Sequence, residues 1–219
     1  MLGHFRQRIG FILLLTLNQR YGIISSCPTK TGNFMFQTEI DDHIRTVRAL
    51  KNIEPEINQA ADILSESIRR GGKIIICGNG GSATDALHFA GELVGRYRME
   101  RRAWPVLALN TNPATLTAIA NDYDFSDVFA RQVEGFGQSG DVFMGISTSG
   151  NSTNIIRATT VAKAHRIFTL GLLGNDGGAL GAHVDLALTV PSSETPRIQE
   201  AHIFILHYLA GCIEKKLTP

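Results

Sequence analysis

His88 and Glu92 stand four residues apart in a stretch of helical periodicity, so an imidazole and a carboxylate share one face. Gln199, Glu200, His202 and His207 fall in a second, later helical stretch. An imidazole–carboxylate pair joined by another histidine is a ligand set for Zn²⁺ or a similar divalent ion. The same residues would also suit two solvated helix faces, and spacing alone leaves both readings open. Gln199 and His207 lie about 12 Å apart along a helix axis, close to the limit that one ion can bridge. If both hold one ion, either the helix start is irregular or the ligands come from different subunits.

Two short loops offer chemistry of another kind. Gly78-Asn79-Gly80-Gly81-Ser82 follows an apolar run, and Ser147-Thr148-Ser149-Gly150-Asn151-Ser152 follows another. Glycines let the backbone approach an anion closely, and the helix after each loop presents free N–H groups and its positive end. The hydroxyls of Ser147, Thr148, Ser149 and Ser152 suit the three oxygens of a phosphate monoester. Either loop alone would pass for an ordinary strand–helix turn. Two of them at equivalent strand ends point to an anion site, because open parallel sheets bind ligands at the carboxyl ends of their strands. Neither fits G-x-G-x-x-G or G-x-x-x-x-G-K-[ST], which leaves dinucleotide and P-loop nucleotide sites unsupported.

The elements that must position these groups follow from apolar spacing. Residues 36–70 read as two helices, with Ile40, Ile44, Val47 and Leu50 on one and Ile57, Ala61, Leu64 and Ile68 on the other. The unbroken run Ile74–Cys77 predicts a strand buried on both faces. A helix over about Ser82–Val94 follows, then a strand over Pro105–Leu109 and a helical stretch after Asn112-Pro113. Strands are expected over Val142–Ile146, Ile167–Leu170 and Leu186–Val190, with a helix from Ser152 to Ala164 between the first two. A long helix begins near Pro196 and runs to about Lys216. Alternating strands and helices imply an α/β domain with a parallel sheet between helical layers.

Composition narrows the function classes. The 219 residues are 43% hydrophobic and 19% charged, enough for a core and against wholesale disorder. With 21 Lys+Arg against 20 Asp+Glu, net charge +1 disfavours a nucleic-acid binder living on counterion release. Cys27, Cys77 and Cys212 are too scattered for a disulfide framework or a CxxC zinc site and suit a reducing, cytoplasmic compartment. Residues 1–34 read differently. Arg6 and Arg8 precede an apolar run, Ile9–Leu17, too short to span a bilayer. It resembles the first parts of a signal peptide but lacks an A-x-A site, and Ile24–Cys27 is only a loose lipoprotein-like tetrapeptide. The favoured expectation is a tail, or sequence upstream of a true start at Met35, with residues 35–219 forming one domain: helices over 35–70 and an α/β core over 71–219.

Several motifs then occur in a fixed order: Cys77–Ser82, Asp85, His88-Phe89-Ala90-x-Glu92-Leu93, Gly95-Arg96-Tyr97-Arg98, Asn121-Asp122, Gly145–Ser152 and Arg197-Ile198-Gln199-Glu200-x-His202. Over residues 36–217 the chain resembles the phosphoheptose isomerase family of SIS (sugar isomerase) domains. The resemblance implies a flavodoxin-like three-layer sandwich with a five-stranded parallel sheet, and a homotetramer with active sites at subunit interfaces. It implies conversion of sedoheptulose 7-phosphate to D-glycero-D-manno-heptose 7-phosphate, the first step of heptose synthesis for lipopolysaccharide core or surface glycans. It implies one Zn²⁺ per subunit at His88, Glu92, Gln199 and His207, with Glu92 and His207 as the catalytic pair. Substrate contacts carried over are Asn79, Gly80, Gly81, Ser82, Glu92, Arg96, Asn121, Asp122, Ser147, Thr148, Ser149, Ser152 and Gln199. Some members carry Ala-Asp where this chain has Thr195-Pro196, so no role passes to that position.

Two other readings belong to the same domain type. One is a non-catalytic relative that binds the replication initiator, which usually lacks the second helical histidine; His207 speaks against it. The other is a phosphosugar-sensing regulator, which often carries a further domain for which no residues remain. No nucleic-acid or membrane partner is expected. Trp104 and the phenylalanines are expected in packing, His165 and His183 at the surface, and Arg101-Arg102 in a solvated turn or a phosphate contact.

Overall fold

The computed structural model describes residues 36–218. Contacts divide the chain into Met1–Thr38 and Glu39–Pro219, and apart from the first residues of one helix all that follows belongs to the second unit. The expectations for residues 1–34 lie outside the described residues.

Helix α1 (Phe36–Ala49) passes through a 3-10 turn, Leu50–Ile53, into α2 (Glu54–Arg69), whose Pro55 sits in the first turn, where a missing N–H costs nothing. Strand β1 (Ile74–Gly78) follows, then α3 (Gly81–Val94), β2 (Val106–Ala108), α4 (Pro113–Asp122), a 3-10 turn at Phe125–Asp127 and α5 (Ala130–Phe136). The remainder is β3 (Val142–Ser147), α6 (Thr153–Ala164), β4 (Phe168–Leu173), the single turn α7 (Gly178–Gly181), β5 (Leu186–Thr189) and α8 (Thr195–Leu217). All strand pairs are parallel, in the order β2-β1-β3-β4-β5. That order is the flavodoxin-like one, and its topological switch lies between β1 and β3.

The sheet separates two cores. Ile74 and Ile76 of β1, with Met144 and Ile146 of β3, pack on Leu64, Phe89, Leu93, Ile205 and Leu209 from α2, α3 and α8. Ile75, Cys77 and Phe143 point the other way, onto Val133, Ile155, Ala158 and Ala162 from α5 and α6. Alternation within a wholly buried strand is what a helix-covered parallel sheet requires.

Two expectations shift. β4 continues to Leu173, three residues beyond the expected end. Gly171 looks like a terminator, but it pairs with Gly145 on β3 and Ala187 on β5, so a row of small residues crosses the sheet. The helical stretch after Pro113 breaks into α4, a 3-10 turn and α5, because Tyr123-Asp124 ends the first helix and the Asp124 carboxylate caps the next turn through the Ser126 N–H. The last helix starts as expected, with Pro196 in its first turn. No helix among the described residues is long and apolar enough to cross a membrane.

Candidate active site

The strand register places both glycine and serine loops at the switch point. Cys77 and Gly78 lie beside Gly145 and Ile146, so β1 and β3 finish nearly together and release their loops side by side. Gly80 takes φ +55 and ψ −123, a left-handed conformation that a side chain would strain, and turns the chain directly into α3. No side chain caps the first N–H groups of α3 or α6.

The loops are tied to one another. Asn79 and Asn154 exchange amide hydrogen bonds, Nδ2 to Oδ1 in each direction at 2.9 Å. Asn154 is buried, so this pair locks the first loop to the start of α6. Ser147 and Ser152 hydroxyls bond at 2.9 Å, and the Gly150 N–H donates to Ser147 Oγ at 3.1 Å. Asn110 on the β2 side clasps Gly78, accepting from its N–H and donating to its carbonyl. Ser149 remains exposed at the tip.

A third loop, Gly174–Gly178 after β4, backs the serine loop. Asn175 Nδ2 donates to the Thr148 carbonyl at 3.0 Å, and the Ala179 N–H donates to Asn151 Oδ1 at 3.0 Å. Gly150, at φ +65, lies so close that a Cβ there would stand 2.0 Å from the Gly177 carbonyl oxygen. A cleft of about 720 Å³, lined by Ser149, Asn151, Asn175, Asp176 and Ser192 among others, opens beside this contact. The glycine cluster Gly174-Asn-Asp-Gly-Gly was the available sequence signal for this loop, and neither it nor Asn110 or Asn154 was expected in the site.

The second group of residues comes from helices. α3 buries Ser82, Ala86, Phe89 and Leu93, which turns His88 and Glu92 outward. α8 buries Ile198, Ala201, Ile205 and Leu209 on its own inner stripe and leaves His207 half-buried beside them. Gln199 lies against Gly81, its Nε2 2.4 Å from where a Cβ would stand, so α3 and α8 run alongside each other. Two turns along, His207 meets His88.

There the two Nε2 atoms approach to 2.9 Å, and His88 Nε2 lies 3.0 Å from Glu92 Oε1. Donor atoms of His88, Glu92 and His207 all fall within 4.8 Å of one another. One proton on His88 Nε2 cannot serve both neighbours well, whereas a cation among the three would satisfy all of them. Two imidazoles and a carboxylate are the protein ligands of an open, catalytic divalent site, so the residues fit such an ion.

Other expected site residues are placed differently. Gln199 faces the first glycine loop, and its helix is regular from the start, so in one chain it begins about 12 Å from His207 along the axis. Asn121 and Asp122 are exposed at the end of α4 and hydrogen-bond to each other. Arg96 is exposed and pairs with Glu100 at 3.8 Å. His202 is buried and donates from Nε2 to the Leu173 carbonyl at 3.0 Å; burial pushes its pKa down to about 4, against the pull of that carbonyl. Glu200 pairs with His43 and Arg197, away from the triad.

Arg101 corrects the expectation of a solvated turn. Its side chain is buried against Trp104 and donates to the carbonyls of Glu92, Leu93 and Gly95, closing the C-terminus of α3. Asp85 lies one turn before His88 on α3. Burial pushes its carboxyl up to about 6, opposed by His88, and its Oδ2 has no hydrogen-bond partner among the described residues.

A doubly wound sheet with an anion cradle at its switch point and a convergent His/Glu triad defines a phosphosugar-binding α/β domain of the isomerase type. The family described as SIS domain matches residues 36–174. Phosphoheptose isomerase of Helicobacter hepaticus is 50% identical over 182 residues, covering 83% of this chain and 93% of that one. The enzyme of Geobacter sulfurreducens is 50% identical over 188 residues, covering 82% and 100%. Among solved structures, phosphoheptose isomerase of Neisseria gonorrhoeae superposes with a TM-score of 0.78 at 40% identity, covering 82% of this chain and 96% of that one. The Francisella tularensis enzyme gives 0.77 at 39% identity, covering 82% and 94%. The chain belongs to the SIS domain family and, within it, to the phosphoheptose isomerases.

Proposed function

We propose that this isomerase converts sedoheptulose 7-phosphate to D-glycero-D-manno-heptose 7-phosphate, the entry to heptose synthesis for surface glycans, by moving a proton between C1 and C2. The observation that carries the reading is the convergence of His88, Glu92 and His207 on one point. A non-catalytic or purely sensing relative needs no such convergence.

The chain's own groups divide the work. Ser147, Thr148, Ser149 and Ser152, with the backbone of Asn79, Gly80, Gly81 and Ser82, hold the phosphate at the positive ends of α3 and α6. Asn79 and Ser147 act through their mutual ties as much as by contact, since their polar groups already have partners in the chain. Glu92 takes the proton from C1 of the ketose and returns it to C2, the adjacent carbonyl making that C–H acidic. His207 exchanges a proton with the oxygens at C1 and C2. Zn²⁺ is the ion we assign, one per subunit at His88, Glu92, His207 and Gln199, where it would supply Lewis acidity to the sugar carbonyl.

Gln199 reaches such an ion most directly from a neighbouring subunit, which agrees with a homotetramer whose sites lie at interfaces. Exposed Leu87 and Val94 on α3, and Phe204 and Tyr208 on α8, flank the triad and support a covered face. Arg96, Asn121 and Asp122, exposed in one chain, are assigned to substrate in that assembly. Residues 35–219 are taken as the catalytic domain of a cytoplasmic enzyme.

The test incubates the purified protein with sedoheptulose 7-phosphate and follows the aldose by NMR. The aldose should accumulate, stop with a chelator and resume on adding Zn²⁺. No aldose from zinc-loaded protein would overturn the reading.

A further inference from the structure

We infer that Tyr97 is a positioning residue for His207, held in place by the buried carboxylate of Glu214. The inference rests on the reading of His207 given above. Its starting point is a carboxylate with an unusual set of partners. Glu214 is 1% exposed, and it accepts the N–H groups of three successive residues: Tyr97 at 2.9 Å on Oε1, Arg98 at 2.9 Å and Met99 at 3.0 Å on Oε2. Arg101 Nε stands 3.3 Å from Oε1, so the buried charge is compensated.

These contacts fix more than a turn. Arg101 also holds the last carbonyls of α3, the helix that carries His88 and Glu92. Glu214 lies seven residues after His207 on α8, two turns along the same face. The Glu214–Arg101 pair therefore pins the segment 95–101 between the two ligand-bearing helices. The consequence falls on Tyr97. Its ring lies parallel to the His207 imidazole, with centroids 5.6 Å apart and an interplanar angle of 16°. Gly211, one turn after His207, gives the ring its floor: a Cβ there would sit 3.4 Å from Tyr97 Cε1.

Rotation about the last side-chain bond of histidine is soft, with broad wells. Nothing covalent keeps Nε2 of His207 aimed at His88. The His88 ring meets it edge-on at 4.9 Å, while the Tyr97 ring limits its swing on the flat side. A plane is what that task needs, and the phenol hydroxyl plays no part in it.

The experiment compares Tyr97→Leu, which keeps bulk and loses the plane, with Tyr97→Phe, which keeps the plane. In the full chain, Zn²⁺ affinity is measured by competition with a chromophoric chelator, alongside kcat, KM and Tm, with His207→Ala in parallel. Support from residues around a metal's ligands is worth roughly 10–100-fold in affinity or activity. Tyr97→Leu should therefore weaken Zn²⁺ binding about tenfold and lower kcat at least as much, with KM within about threefold; Tyr97→Phe should restore both to within about threefold. Wild-type affinity and kcat in Tyr97→Leu, or an equal loss in Tyr97→Phe, would overturn the inference. If His207→Ala itself keeps Zn²⁺ and turnover, the reading of His207 fails. If only His207→Ala loses them, that reading stands and the role of Tyr97 falls alone. Should Tyr97→Leu fail to fold, Tyr97→His, a smaller ring of the same planarity, takes its place, and loss of Zn²⁺ affinity there as large as in His207→Ala would count against the inference.

Discussion

The cradle at the strand ends and the triad on the helices are assembled in opposite ways. In the cradle, side chains are largely spent on each other: Asn79 on Asn154, Ser147 on Ser152, Asn175 on the Thr148 carbonyl. What it leaves most open to a ligand is backbone N–H groups and the hydroxyls of Thr148 and Ser149. In the triad the donors face one another with too few protons to satisfy them. The first is a finished surface, set by sheet topology. The second is a question posed by two helices, and it asks for a cation. On the function proposed above, the difference makes phosphate binding and chemistry separable, each resting on its own supports.

Glu92→Gln should give the largest effect and the cleanest separation. Loss of a general base costs about 10²–10⁴-fold, so kcat should fall about a thousandfold while the inhibition constant of inorganic phosphate stays within a factor of about two. Near-wild-type turnover with zinc still bound would reject the base assignment.

Acid should unfasten the two regions in order. His202 lies under the cradle through the Leu173 carbonyl, and its pKa is lowered from 6.5 to about 4. The unfolded chain takes that proton first, so the contribution is complete above pH 6.5 and declines toward pH 4, by about 2 kcal/mol at pH 5. Glu214 lies under the triad. Burial raises its pKa, but the three N–H groups and Arg101 outweigh burial and hold it below 4.5. Its contribution is present above pH 4.5 and is lost as pH falls through the depressed value. Urea midpoints against pH should show both declines, and His202→Gln should flatten only the upper one.

Asn154→Leu should give the smallest effect. Two amide hydrogen bonds across the loops are worth about 1 kcal/mol each, so inorganic phosphate should bind up to about thirtyfold more weakly. Zn²⁺ affinity should not follow. If it does, the two regions are coupled and the comparison breaks.

Much of this was legible in the sequence, and the reasons are physical. Ile74–Cys77 has no polar residue to face solvent, so a doubly covered strand was the only economical reading. His88 and Glu92 are joined by helical periodicity, which sequence displays directly. The meeting of His207 with His88 is carried by the packing of α3 on α8 and has no period to read. Asn110, Asn154, Arg101 and Glu214 share that property: Asn154 serves the Asn79 side-chain amide, and the other three serve backbone groups of another element. Gly171 shows the opposite case, since a residue type that usually ends strands here makes room within one.

Gly81 leaves an opening that the amide end of Gln199 fills, and its backbone needs no left-handed turn. A methyl at that position would meet the tip of a flexible side chain rather than a rigid carbonyl. Alanine at 81 thus works as an eviction notice, sending Gln199 from its berth while the helix beneath it stays moored.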